Sequence, residues 1–106
     1  MTPIAVTTTV DSLDDAQALA RSLVERRLAA CAQISTIESF YRWDGTVQHE
    51  PEFRILFKTV AERYAAVEEA IRTQHPYELP AIHGVALPWV DARYEEWIVA
   101  NVTPAD

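Results

Sequence analysis

The dipeptide Asp44–Gly45 constrains this chain more than any other feature, because it lies in the middle of a long stretch of strand-forming residues. Asp-Gly favours a two-residue type I′ turn, in which both central residues need a positive φ. Residues 34–43 precede the turn, and residues 46–59 follow it with alternating apolar and polar side chains. We therefore predict one long β-hairpin over residues 31–60.

Two features interrupt the regular pattern of this hairpin. The alternation slips between Ile34 and Ile37, and Pro51 cannot donate a hydrogen bond to a neighbouring strand. We expect a β-bulge and an exposed sheet edge near these points.

The length of the hairpin predicts an oligomer. An arm of about 12 residues spans ~40 Å, whereas a compact domain of ~100 residues has a radius of gyration near 13 Å. The tip would therefore project, with Phe40, Tyr41 and Trp43 on unpaired strand. Soluble proteins avoid such exposure, so we expect pairing with another subunit.

A strand and a helix precede the hairpin. Ile4, Val6, Thr8 and Val10 alternate with smaller residues, as in a buried strand. Ser12 can cap a following helix, with Asp15 at the capping-box position. The apolar stripe of this helix, predicted to run to about Ala30, comprises Ala16, Leu19, Ala20, Leu23, Val24 and Leu28.

Two more helices and a strand follow the hairpin. The tetrapeptide 59–62, Thr-Val-Ala-Glu, has the form of a capping box, and the helix after it should end near Gln74. Residues 82–90 predict a fourth strand, and Asp91 should cap a third helix. The order βαββαβ plus a terminal helix predicts one domain, residues 1–106, with a ferredoxin-like α+β sandwich.

The charge balance excludes several classes of partner. Nine basic residues are scattered among sixteen acidic ones, for a net charge of -7, so we expect neither nucleic acid nor an anionic membrane surface as a partner.

No apolar run approaches the roughly 20 residues of a membrane span. The first residues lack the features of a signal peptide. The single cysteine, Cys31, cannot form an intrachain disulfide, and we expect a cytoplasmic location.

Few residues could support a metal site or catalysis. Cys31 stands alone, without the short ligand spacings of a structural zinc site. His75 and His83 flank the connection P-Y-E-L-P and could approach each other. Alternatively, His75 could bind carbonyl groups at a helix C-terminus while His83 faces along a strand. A Cys31–His75 dyad is the one conceivable nucleophile, but a buried, inert cysteine is the simpler interpretation. We predict that the protein is not an enzyme.

The two prolines of Q-H-P-Y-E-L-P have a structural interpretation. Pro76 disfavours helical geometry at the residue before it, and Pro80 keeps Leu79 extended. Tyr77 and Glu78 are then held on a rigid loop that could present ligand contacts.

Five segments stand between Ile4 and about Val102: A-R-S-L-V-E-R-R-L-A-A-C-A-Q-I, S-F-Y-R-W-D-G, F-K-T-V, H-P-Y-E-L-P-A-I and Y-E-E-W-I. Together they resemble the CutA family, the divalent-cation tolerance proteins. The resemblance implies a ferredoxin-like fold assembled as a homotrimer whose long hairpins contribute to intersubunit sheets. It also implies a role in tolerance to copper and other divalent cations, and no organic cofactor.

The resemblance implies His75 as a copper ligand. Thr8 and Gln74 stand where a bacterial family member has a cysteine and a second histidine as proposed ligands, so any site at His75 should be weak. Alternatively, a copper site could be assembled from His75 of three subunits, or use Cys31 or His83. Ala81 replaces a glutamate that is common in the family, which removes a carboxylate from a cleft.

The family trimer is similar to that of the PII signalling proteins, which bind effectors in clefts between subunits. By this analogy the candidate cleft residues are Trp43, Glu52, Lys58, Tyr77 and Glu78. Three functions follow as alternatives: a metal-response protein with weak copper binding, an effector-binding trimer, and a structural trimer.

Overall fold

A computed structural model describes residues 1–103 and shows an α+β fold. Its elements in chain order are β1 Pro3–Val10, α1 Leu13–Glu25, β2 Cys31–Trp43, β3 Thr46–Val60, a 3₁₀ turn at Ala61–Arg63, α2 Tyr64–Gln74, β4 Ile82–Ala86 and α3 Ala92–Val102. The four strands form one antiparallel sheet in the order β2-β3-β1-β4. None of the helices in this range is long and apolar enough to cross a membrane.

The hairpin is continuous, and the predicted β-bulge is wrong. The pairing runs without a shift from Cys31 opposite Lys58 to Trp43 opposite Thr46. Asp44 and Gly45 adopt φ values of 51° and 76°, the positive angles that a two-residue turn requires. The slip in alternation has another cause: Ile34 and Ile37 lie on opposite faces of β2, so both faces carry an isoleucine.

The outer half of the hairpin extends beyond the rest of the sheet. β1 pairs with β3 only as far as Val10 opposite Phe53, so residues 46–52 of β3 have β2 as their single neighbour. Pro51 lies in this part, which confirms the predicted sheet edge. The molecule is accordingly elongated, 47 × 27 × 21 Å, and Phe40 near the tip is 68% exposed.

The core lies between the sheet and the first two helices. The residues packed here include Val6, Leu23, Ile55, Phe57 and Ile71. A smaller cluster lies under α3 and comprises Ala30, Val60, Ile98 and Val102. Side chains alternate along a strand, so Val60 and Phe57 lie on opposite faces and α3 covers one end of the other face. The outer part of that second face is left open for the cleft described below.

Helix α1 ends five residues before the predicted boundary. Arg27 has a φ of 58°, which is left-handed and terminates the helix. The amides of Leu28 and Ala29 then donate to the carbonyl oxygen of Leu23 at 3.0 and 3.2 Å. The apolar residues 28–30 are buried as a connection instead of a last helical turn.

Two of the predicted helix caps are confirmed and one is wrong. Ser12 accepts from the amide of Asp15, and Asp91 accepts from the amide of Tyr94. Thr59 caps no helix, because β3 continues through Val60 and the Thr59 hydroxyl donates to the buried Leu28 carbonyl at 2.8 Å.

The fourth strand is shorter than predicted. It ends at Ala86 instead of residue 90. Pro88 lacks a backbone N–H and cannot continue the ladder.

Candidate ligand-binding cleft

Residues 75–81 connect α2 to β4 and form one wall of a cleft. Helix α2 ends at Gln74 as predicted, and His75 is extended with φ −73° and ψ 137°. The ring of Pro76 explains this conformation, because it disfavours helical geometry at the preceding residue.

Both ring nitrogens of His75 take part in hydrogen bonds that hold this segment. Nδ1 accepts from the amide of Tyr77 at 3.1 Å, so Nε2 carries the proton and donates to the carbonyl oxygen of Thr9 at 2.8 Å. Burial lowers the pKa of His75, although the Thr9 carbonyl and nearby carboxylates act in the opposite direction. The neutral imidazole therefore joins the segment to the end of β1, not to the carbonyls of α2.

Tyr77 joins the same segment to the hairpin. Its hydroxyl donates to Oε2 of Glu52 at 2.7 Å. Glu52 is only 7% exposed although it carries a carboxylate. Burial, and then the Glu52 carboxylate, raises the pKa of Tyr77 well above its usual value, so the phenol stays protonated and serves as the donor.

The hairpin and the 75–81 segment enclose a cleft of about 370 Å³. Its walls are Thr9, Asp11, Tyr41, Trp43, Glu50, Glu52, Tyr77, Glu78, Leu79 and Ala81. The pairing of β2 with β3 places the hairpin residues of this set on one face of the sheet. The Tyr77–Glu52 hydrogen bond joins the two walls of the cleft.

The structure brings four of the predicted site residues together. Trp43, Glu52, Tyr77 and Glu78 line the cleft, and His75 supports it from behind through Thr9 and Tyr77. Ala81 also lines it, at the position where the resemblance indicated a lost carboxylate.

Three predicted residues lie elsewhere. The amino group of Lys58 donates to Gln33 at 3.3 Å and lies 5.8 Å from the ring centre of Tyr94. The half-buried Cys31 has its Sγ 3.8 Å from the Tyr94 hydroxyl, so it forms no dyad with His75. His83 is exposed on β4, where it pairs with Thr7.

Sequence reasoning missed Tyr41 and Glu50, two cleft residues that the hairpin register could have identified. A two-residue turn at Asp44–Gly45 places both on the same face as the predicted Trp43 and Glu52 by alternation alone. Thr9, Asp11 and Leu79 had no such signal, because their position depends on how the 75–81 segment packs against the end of β1.

The described part of the chain contains no preformed cluster of metal-ligating side chains. No three His, Cys, Asp or Glu side chains among residues 1–103 converge on one point. His75 as a copper ligand stays a prediction, and a metal would have to replace one of its two hydrogen bonds.

Comparison with known proteins places the chain in a family. The model of the CutA1 divalent ion tolerance proteins matches residues 4–101. The chain belongs to this family. The CutA1 match confirms the resemblance derived from the five segments.

Individual relatives support the CutA1 assignment. The divalent-cation tolerance protein CutA of Thermus thermophilus is 38% identical over 96 residues, which cover 88% of this chain and 91% of the relative. The structure of CutA from Synechococcus elongatus superimposes with a TM-score of 0.93 at 34% identity, covering 96% of this chain and 91% of the other. These relatives support a role in divalent-cation tolerance, and their names describe no enzyme activity.

A third relative bears on location. The Archaeoglobus fulgidus structure, described as a periplasmic divalent cation tolerance protein CutA, has a TM-score of 0.92 at 31% identity and covers 94% of this chain and 98% of its own. The cytoplasmic location of this chain stays a prediction.

Proposed function

We propose that this CutA1-family protein is a non-enzymatic, cytoplasmic homotrimer of ferredoxin-like protomers that binds a small-molecule effector in the cleft between its hairpin and its 75–81 segment. The cleft itself carries the proposal. It has about 370 Å³ of space, which is within the range of small-ligand sites. Two hydrogen-bonded tethers, His75 to Thr9 and Tyr77 to Glu52, hold its shape before any ligand arrives.

The hairpin supports the trimer. Its outer half lacks a second neighbouring strand and exposes Phe40 and Val47 on the sheet face opposite the cleft. Such a surface favours association, because pairing satisfies the strand edge and buries these two side chains. Light scattering should give a mass of three times the 12.0 kDa of one chain. A stable monomer would reject this part of the proposal.

A thermal-shift screen of metabolites and nucleotides tests the effector. A ligand that binds the folded protein raises its stability by about 2.7 kcal/mol at a concentration of 100 times Kd. Each positive compound is then repeated with Ala81→Trp, which fills the cleft from its exposed wall. Shifts that persist in this variant place the ligand elsewhere. A screen without any shift, with the trimer intact, favours the structural alternative.

Weak copper binding through His75 is a second proposal. Imidazole is a suitable copper ligand, but copper would displace either the Tyr77 amide or the Thr9 carbonyl from the ring. Calorimetric titration of the reduced protein with copper(II) chloride, repeated with His75→Gln, provides the test. Equal heats from both proteins would exclude His75 as a ligand.

A further inference from the structure

The hairpin turn contains the one Asp-Gly dipeptide of the chain. Asp44 is followed by Gly45, whereas no other aspartate of the sequence is followed by glycine. The amide nitrogen of a glycine reaches the side-chain carboxyl carbon of the preceding residue most easily, because glycine carries no Cβ to hinder it. Both reacting groups lie in consecutive residues of one chain, so the reaction needs no group from a neighbouring subunit.

The reaction is an isomerisation in two steps. In the first step, the Gly45 nitrogen bonds to Cγ of Asp44, and one carboxyl oxygen leaves as water with the amide proton and the carboxyl proton. The product is a five-membered succinimide ring. In the second step, water adds to the main-chain carbonyl carbon of residue 44 and breaks its bond to nitrogen, so the chain then runs through Cβ and Cγ as an isoaspartate. Water is lost and regained, and nothing is oxidised or reduced.

The turn as folded holds the two reacting groups apart. Asp44 and Gly45 have φ values of 51° and 76°, as in a type I′ turn. The ψ angle of about 30° that this turn type gives its first central residue rotates the Gly45 nitrogen far from Cβ of Asp44. Ring closure needs that nitrogen and Cβ on the same side of the Cα–C bond. The reaction therefore requires the turn to open.

The turn lies at the part of the sheet where opening costs least. β1 stops pairing with β3 at Val10 opposite Phe53, so the tip of the described protomer is supported by its own two strands. Across the turn, the Thr46 hydroxyl donates to the Trp43 carbonyl oxygen at 3.2 Å. Opening also releases the positive φ of Asp44, which a residue with a Cβ disfavours. Because local opening requires less free energy than global unfolding, the tip reaches the reactive conformation while the core stays folded.

We propose that Asp44–Gly45 is a modification site, at which the folded protein converts to isoaspartate and thereby displaces Trp43 from the cleft wall. An isoaspartate adds one carbon atom to the main chain of the two-residue turn. The register that pairs Trp43 with Thr46 depends on that turn length, so the end of the ladder must rearrange. Trp43 lines the cleft and directly precedes the modified residue, so the same change alters the wall.

Ageing of the assembled protein at neutral pH and physiological temperature tests the site. After proteolysis, the peptides that contain residue 44 are separated by chromatography, because their aspartyl and isoaspartyl forms share one mass but differ in retention. We expect isoaspartate to accumulate severalfold faster at Asp44 than at Asp11, whose neighbour Ser12 carries a side chain. The same chain unfolded in urea should convert faster still, because no turn restrains it.

Two results of the ageing experiment would overturn the proposal. One is a folded protein that forms no isoaspartate at residue 44 over a period in which the urea-unfolded chain does. The other is an equal rate at Asp44 and Asp11, which would show that the turn dipeptide has no special reactivity.

Two variants locate the chemistry in this dipeptide. Asp44→Asn forms the same succinimide with ammonia as the leaving group, and should convert faster than the wild type because an amide is attacked more readily than an ionised carboxylate. Its mass rises as the amide becomes a carboxylate. Asp44→Glu keeps the charge but would have to close a six-membered ring, and should not convert over the same period. A rate for Asp44→Asn no higher than that of the wild type would exclude the succinimide route.

Trp43 reports the structural consequence. With Trp89 and Trp97 replaced by Phe, Trp43 is the only tryptophan of the chain, and its emission should shift in the purified isoaspartyl form relative to the unaged protein. Asp44→Glu, aged in the same background, should keep its emission and so controls for other effects of ageing. Unchanged Trp43 emission in fully converted protein would overturn the displacement.

Discussion

The phenol oxygen of Tyr77 lies 2.7 Å from Oε2 of Glu52, so a single hydrogen bond joins the segment after α2 to the outer half of the hairpin. Glu52 sits one residue beyond the point where β1 stops pairing with β3. The projecting hairpin is therefore tied to the body of the molecule at its first unsupported residue. The His75–Thr9 hydrogen bond joins the same segment to the end of β1.

Removing the Tyr77 hydroxyl should destabilise the protein. Tyr77→Phe leaves the buried Glu52 carboxylate without its donor, and we expect a loss of about 1–2 kcal/mol in the free energy of unfolding. Urea denaturation at a fixed protomer concentration measures it. Tyr94→Phe is the matched control, because that hydroxyl has only the weak 3.8 Å contact with Cys31. Equal losses in the two variants would contradict the role of the Tyr77–Glu52 bond.

His75 should make stability depend on pH in acid solution. Its folded-state pKa is lowered, so the unfolded chain takes up a proton first as the pH falls through the ordinary histidine value of about 6.5. The stabilisation is complete above that value and is lost below it. Unfolding free energies should fall more for the wild type than for His75→Gln between about pH 7.5 and about pH 5. His83→Gln, at an exposed histidine of β4, should behave as the wild type does; parallel curves for wild type and His75→Gln would reject the prediction.

Replacing Gly45 in the hairpin turn by a residue that disfavours positive φ should lower the stability of the protein. Gly45 has φ 76°, and an added Cβ would meet no atom within 4 Å, so any cost of substitution is backbone strain. Gly45→Ala should lower stability by about 1 kcal/mol. Gly45→Asn should cost clearly less, because Asn tolerates this conformation. Urea denaturation of both variants checks the order, and an equal cost would argue against a type I′ turn.

Arg27 should affect stability in two opposite ways: its side chain caps α3, and its positive φ strains the backbone. Its guanidinium donates to the carbonyl oxygens of Ala100 and Thr103 at 2.7 and 3.1 Å, at the C-terminal end of α3. Arg27→Ala should cost about 1 kcal/mol through the lost hydrogen bonds. Arg27→Gly loses the same bonds but suits φ 58°, and should be more stable than the Ala variant by about 0.5–1 kcal/mol. Denaturation of both, with the exposed Arg26→Ala as control, measures the two contributions; a Gly variant no better than Ala would show that no strain is present.

Local sequence signals predicted the elements that depend on local chemistry. Asp44–Gly45 identified the hairpin, Ser12 and Asp91 identified helix starts, and Pro76 identified the end of α2. The errors have tertiary causes. Arg27 is left-handed and ends α1, and its side chain donates to the end of α3. The Thr59 hydroxyl donates to the buried carbonyl of Leu28 and caps no helix.

The residues of the candidate site also fall into those that the sequence indicated and those that only the tertiary structure could identify. The resemblance and the rigid loop indicated Tyr77, Glu78, Trp43 and Glu52, which lie in the cleft. Lys58 is close to Glu52 in sequence and on the same face of β3, but it lies at the other end of the strand beside Tyr94. Only the pairing of the strands with β1 shows which end of that face stays open.

Trp43 provides the most direct test that the cleft is the ligand site. The chain has three tryptophans, so replacing Trp89 and Trp97 by Phe leaves Trp43 as the single reporter on the cleft wall. Titration of this variant with a positive compound from the screen should give a saturable change in tryptophan emission, with the same Kd as the thermal shift. An unchanged Trp43 emission, with binding still detected by thermal shift, would contradict the assignment of the cleft as the site.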